Sequence, residues 1–193
     1  MPDKNKHITP RRLVIGMTGA SGAPLTLALL RRLRAQTGLE LHFIASQGAK
    51  LTAEYEMPGR WHDYLTLVDA TYSNGQIDAS IASGSFQTEG MIIVPCSMKT
   101  VAGIHSGYAD NLLLRAADVT LKERRPLLLV PRETPLSPIH LRNLYELSMM
   151  GVSIVPPMMT FYNRASSIED MEAHLVGKIM DLLGIPAEYQ RWQ

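Results

Sequence analysis

Apolar residues along the chain fall into two patterns, short unbroken runs and longer stretches with apolar positions three or four residues apart. The runs Leu13–Met17, Leu41–Ala45, Met91–Val94, Leu127–Val130 and Val152–Val155 predict strands buried on both faces. Pro95, Pro131 and Pro156 follow three of these runs, and a residue without an amide hydrogen predicts that the strand stops there. Helical spacing runs from Ala23 to Leu33, where Leu25, Leu29, Leu30 and Leu33 share a face. It recurs from Asp110 to Glu123, from Ile139 to Met150 and from Ile168 to Leu183. Ser137 before Pro138 predicts an N-cap with proline at the first helical position, and Gly184 with Pro186 predicts the last helix's end. Residues Arg60 to Thr88 hold no sustained period and predict loops with short elements. Alternating strand and helix imply an α/β fold, a Rossmann-like doubly wound parallel sheet. At 193 residues the chain is one domain, 1–193, with residues 1–11 as a polar N-terminal tail.

Composition narrows the classes. A formal net charge of +1 removes the excess of Lys and Arg that a nucleic-acid surface needs, so no nucleic-acid partner is expected. The local cluster Arg31, Arg32 and Arg34 reads as a solvated helix face. No apolar run approaches the length of a membrane span, and Met1 to Arg12 lacks the apolar core of a secretory signal. Cys96 is the single cysteine, so no intrachain disulfide can form; the expectation is a cytoplasmic protein without a membrane partner.

Ligands in such a sheet bind beyond the carboxyl ends of the strands. The first strand opens into Gly16-Met17-Thr18-Gly19-Ala20-Ser21-Gly22-Ala23, a turn of small residues that a ligand can approach closely. It lacks the Lys-Ser/Thr pair of a P-loop and the spacing of the dinucleotide fingerprint, and Gly22 directly after Ser21 rules out a hydrolase elbow. The second strand ends at Ser46 rather than at an acidic residue, which suits a mononucleotide such as FMN better than NAD. The third leads into Cys96-Ser97-Met98-Lys99-Thr100, with hydroxyls and helix amides. The fourth leads into Arg132-Glu133, which places a phosphate-binding cation beside a candidate acid. The fifth leads to Phe161-Tyr162, whose phenol is a candidate phosphate contact.

Together with Arg-Ala-Ala-Asp-Val at 115–119, Leu-Lys-Glu-Arg-Arg-Pro-Leu at 121–127 and Val-Pro-Arg-Glu-Thr-Pro-Leu at 130–136, these segments resemble the UbiX/Pad flavin prenyltransferases. The likeness runs from about Leu13 to Trp192 and is nearest to members that accompany phenolic-acid decarboxylases. It implies a flavoprotein-type single domain acting on reduced FMN and dimethylallyl phosphate without a metal. The product is FMN prenylated at N5 and C6, passed to a UbiD-type decarboxylase. It further implies a homo-oligomer, commonly a dodecamer, with sites at subunit boundaries. Carried over by residue, Gly19, Ala20, Ser21, Ser46, Ser97, Met98, Lys99, Thr100 and Arg132 would hold FMN. Tyr162, Lys178, Lys122, Arg115 and Ser83 would bind the prenyl phosphate, some of them across a subunit boundary. The catalytic set would be Glu133, donating a proton to the departing phosphate, Glu56, assisting proton movement at the flavin, and Ser21. Lys178 stands where relatives often carry Arg, which keeps the charge but loses the bidentate fork. Ile77 stands where some relatives place an aromatic residue near the flavin.

Plainer readings accompany these. Cys96 beside Pro95 reads as a small packed residue rather than a nucleophile, and His105 and His140 form no metal-ligand pattern with it. Met149, Met150, Met158 and Met159 read as ordinary core filling. Glu56, taken alone, reads as a solvent-facing helical residue. Two other functions share the architecture, an FMN-binding carrier subunit of a decarboxylase and a flavin-dependent cysteine-type decarboxylase. The latter uses a Pro-x-Met-Asn segment, where this chain has Pro157-Met158-Met159-Thr160.

Overall fold

The computed structural model describes residues 11–192, so the expected N-terminal tail lies outside it except for Arg11, which already belongs to the first strand. Six parallel strands form one sheet in the order β3-β2-β1-β4-β5-β6. They are β1 (Arg11–Met17), β2 (Leu39–Ala45), β3 (Ala70–Ser73), β4 (Gly90–Cys96), β5 (Leu127–Pro131) and β6 (Ser153–Ile154). Among the described residues seven α-helices cover the two faces: α1 (Ala23–Arg34), α2 (Gln47–Glu56), α3 (Trp61–Thr66), α4 (Met98–His105), α5 (Leu112–Lys122), α6 (Pro138–Met149) and α7 (Ile168–Asp181).

Side-chain alternation along each strand builds two cores. Leu13, Ile15, Met17, Leu41, Phe43, Ile92, Val94, Leu128 and Val130 pack on one face, against α1, α3 and α7. Val14, Ile44, Met91, Ile93, Leu127 and Leu129 pack on the other, against α4, α5 and α6. The unbroken apolar runs are thus explained by burial of both faces of a parallel sheet.

Two expectations need correction. Proline does not close the third and fourth strands, because Pro95 lies inside β4 and Pro131 inside β5. The sheet accommodates Pro95 where the β4–β5 register shifts, between Ile93 and Cys96, so no ladder bond is asked of its nitrogen. The number of strands is six rather than five: β3 follows the expected second strand and pairs with it from His42↔Ala70 to Ala45↔Ser73. Its half-buried pattern on four residues gave no apolar run to read. Finally, the helix at Gln47–Glu56 has only Ala49 and Ala53 buried, too sparse a stripe to announce itself.

Gly90 shows what the start of β4 requires. Its φ is +150°, and a Cβ there would lie 2.5 Å from the Pro126 carbonyl oxygen, the group that accepts the Met91 amide at 2.9 Å. We expect Gly90→Ala to cost about 2–4 kcal/mol, lowering the thermal midpoint by about 5–15 °C in a circular dichroism melt. A shift under about 2 °C would mean that the strand start relaxes around the methyl group.

Candidate functional site

The order of strands reverses between β1 and β4, and the loops leaving these two strands are tied together there. The buried Thr18 hydroxyl donates to the Pro95 carbonyl at 2.7 Å and accepts from the Ser97 amide at 2.8 Å. The Ser46 amide donates to the Met17 carbonyl at 3.0 Å, which places the start of α2 beside the same loop. Three helices therefore begin at one point. Their N-caps are Ser46, Ser97 and Asn111, whose side chains accept from Ala49, Thr100 and Leu114 respectively. The first amides of each helix have no intrahelical partner and carry the positive end of its dipole.

Between them lies a cleft of about 540 Å³, lined by Thr18, Gly19, Ser46, Gln47, Gly48, Asn74, Ser97, Lys99, Thr100, Asn111, Leu113 and Leu114. A second groove of about 500 Å³ shares Ser46, Gln47, Asn74 and Asn111 with it and extends toward Lys50 and Trp61. Hydroxyls, amides and two leucines in one lining suit a planar, partly polar ring system carrying an anionic tail.

Of the residues assigned to FMN, the structure brings Gly19, Ser46, Ser97, Lys99 and Thr100 into this cleft. Met98, in the same segment, is buried with its side chain in the core beneath α4, which leaves its backbone for a ligand. Ala20 and Ser21 continue the first turn, half-buried, without lining the cleft. Arg132 leaves the end of β5, its amide donating to the Cys96 carbonyl at 3.2 Å, and its side chain is exposed. Glu133 beside it is exposed too, its carboxylate accepting from the Thr134 amide at 3.1 Å.

Glu56 does not face solvent as a helical residue read alone would. Its carboxylate accepts from the amides of Gly22 at 3.0 Å and Ala23 at 2.7 Å, capping α1, whose N-cap Gly22 has no side chain to do so. The Ala23 carbonyl accepts from the Tyr64 hydroxyl at 2.9 Å. Tyr64 is fully buried, and burial first, with the Glu56 charge second, pushes its phenol up to about 12, so it stays a donor.

The residues assigned to the prenyl phosphate form two other groups in the single chain. Arg115, Lys122 and Ser83 meet along α5: the Arg115 guanidinium donates to the Ala82 carbonyl at 3.2 Å and pairs with Asp118 at 2.6 Å. Lys122 pairs with Glu123, and the Ser83 hydroxyl bonds that of Ser85 at 2.9 Å. Tyr162 and Lys178 lie on the C-terminal segment, the Tyr162 hydroxyl 3.2 Å from His174 Nε2, one turn before Lys178 on α7. Among the described residues no carboxylate forms an ion pair with Lys99, Arg132 or Lys178.

The remaining candidates resolve simply. Cys96 is fully buried, and burial pushes its thiol far up, so it is packing and no nucleophile. His105 pairs with Glu146, and His140 completes a capping box with Ser137. No group of three His, Cys, Asp or Glu among the described residues is placed to hold a metal ion. Met149, Met150, Met158 and Met159 are not core: they are 60–71% exposed, and Tyr145 and Phe161 are exposed as well. Ile77 is half-exposed.

With this geometry, comparison with known proteins is specific. The sequence profile of the family described as Flavoprotein matches residues 2–183. A probable UbiX-like flavin prenyltransferase of Escherichia coli O157:H7 is 51% identical over 183 residues, 94% of this chain and 93% of the relative. The chain belongs to the UbiX-like flavin prenyltransferases. Two solved structures share the fold of this flavin prenyltransferase chain almost end to end. One is a dodecameric FMN-dependent UbiX-like decarboxylase from Escherichia coli O157:H7, with a TM-score of 0.92 at 51% identity, covering 94% of this chain and 99% of that one. The other is AnUbiX (PadA1) in complex with FMN and dimethylallyl pyrophosphate, with a TM-score of 0.90 at 46% identity, covering 96% and 98%.

Several lining residues of the flavin prenyltransferase cleft escaped the sequence reading. Asn111 had a signal, an N-cap residue directly before Leu112-Leu113-Leu114, and Asn74-Gly75 is a turn dipeptide. Gln47 and Gly48 had none, because only the pairing of β1 with β2 brings them to the first turn.

Proposed function

We propose that this chain is a flavin prenyltransferase, transferring a dimethylallyl group from dimethylallyl phosphate to N5 and C6 of reduced FMN for a UbiD-type decarboxylase. The observation that carries the proposal is the cleft at the β1–β4 switch point, formed by the segments that match relatives of that activity over nearly their whole length. FMN suits the cleft: the Gly19 and Gly48 backbones approach so closely that a Cβ on Gly19 would lie 3.1 Å from Gly48 C and Cα, and three helix N-termini supply donors for carbonyl and phosphate oxygens. Gly19, Ser46, Ser97, Lys99 and Thr100 would hold it, with the backbone of Ala20, Ser21 and Met98 beside them. Reduced FMN, when bound, supplies the nucleophile and a π face beside the allylic carbon.

The chain's own residues serve the departing phosphate. Arg132, Lys178, Lys122 and Arg115 would stabilise its charge without a metal, while Tyr162 and Ser83 would donate hydrogen bonds to it. Glu133 would protonate its bridging oxygen as the carbon–oxygen bond breaks. The reading calls for a homo-oligomer in which neighbouring copies complete the site. The exposed apolar row of Leu141, Tyr145 and Met149 on α6, and the exposed Met158, Met159 and Phe161, support such burial. The dodecameric neighbour supports it too. No helix among the described residues is long and apolar enough to cross a membrane.

The test is anaerobic incubation of the protein with reduced FMN and, in parallel arms, dimethylallyl phosphate or the diphosphate, followed by the mass of the extracted flavin. A gain of one five-carbon unit is the expected result, with the monophosphate preferred. Unmodified flavin from folded, FMN-bound protein in both arms would favour an FMN carrier instead.

A further inference from the structure

The residues Gly48, Thr52 and Glu56 stand four apart on α2 and therefore share one face, and each meets the turn between β1 and α1. Gly48 packs backbone to backbone against Gly19, so closely that a Cβ on Gly19 would lie 3.1 Å from Gly48 C and Cα. The Thr52 hydroxyl donates to the Gly19 carbonyl at 3.0 Å. Glu56 holds the far end of the turn through the Gly22 and Ala23 amides. The three contacts clamp the turn at both ends.

The Thr52 contact differs in kind from the other two. Gly19 has no side chain to fix its own peptide, and glycine permits the φ,ψ changes by which a peptide plane turns over. Because the peptide is planar and trans, a carbonyl held toward α2 leaves the Ala20 N–H directed away from α2. Fixing one fixes the other. We propose that Thr52 is a positioning residue of the flavin site, locking the Gly19–Ala20 peptide in the orientation that the bound ring system meets. The proposal rests on the flavin reading above.

The pair Thr52→Val and Thr52→Ser separates the hydroxyl from its shape. The lost bond should weaken FMN binding about 3- to 10-fold by fluorescence titration. The KM for FMN should rise by the same factor while turnover at saturating FMN stays within about two-fold. Thr52→Ser should bind FMN within about two-fold of the parent, and T52V should show faster amide exchange across residues 18–23 in the ligand-free protein. Unchanged affinity in T52V, or a Thr52→Ser variant as weak as T52V, would overturn the proposal. A parent protein that binds no FMN would remove the flavin reading and this role with it, whereas unchanged amide exchange in T52V would remove the clamp alone.

Discussion

Replacing Glu133 by glutamine should slow prenyl transfer at least about 100-fold while leaving FMN affinity within about two-fold. The carboxyl sits just past β5, on a loop whose preceding residue is anchored to the end of β4 through the Arg132 amide and the Cys96 carbonyl. Its only hydrogen bond among the described residues is from the Thr134 amide, so glutamine can keep that contact through its side-chain oxygen while losing the transferable proton. The carboxyl is exposed in a single chain. Single-turnover mass spectrometry of the flavin measures the loss. A donor whose leaving group departs without a proton should recover most of the rate in Glu133→Gln. Equal losses with both donors would show that Glu133 is not the acid.

Gly19→Ala should weaken FMN binding at least about 10-fold while moving the thermal midpoint by only a few degrees. The added methyl would press on Gly48 C and Cα at 3.1 Å and on its carbonyl oxygen at 3.3 Å. These are backbone atoms at the start of α2, which cannot swing aside as a side chain would. The first turn must then move away from α2, and the cleft changes shape where Gly19 and Ser46 line it together. Fluorescence titration beside a thermal melt separates the two effects. Unchanged affinity would mean that the ligand does not depend on this close approach.

Much of the site was legible as chemistry and little of it as geometry. Ser46, Ser97 and the glycine turn were found because each follows an apolar run, and the carboxyl ends of parallel strands converge by rule. Thr52 was invisible, since a threonine four residues after Gly48 carries no signal until α2 is laid against the first turn. Glu56 could be named only by resemblance; the capping role it plays for α1 depends on a contact 34 residues distant in sequence. The methionines misled for a related reason. Met149 and Met150 end a helix whose inner face buries Leu147 and Asn143, so the methionines are left outside.

By itself the sequence determined the alternation of strand and helix, the two-faced burial of the sheet and the membership that its Pro-Arg-Glu-Thr-Pro and Leu-Lys-Glu-Arg-Arg-Pro segments imply. These are local properties, set by hydrophobic period and short motifs. Tertiary structure alone decided which polar groups share a cleft, that Pro95 lies within a strand, and that Glu56 caps α1. Such facts depend on strand order and on contacts between residues far apart in the chain. No local pattern of side chains encodes them, because the energy that fixes them comes from packing the whole sheet.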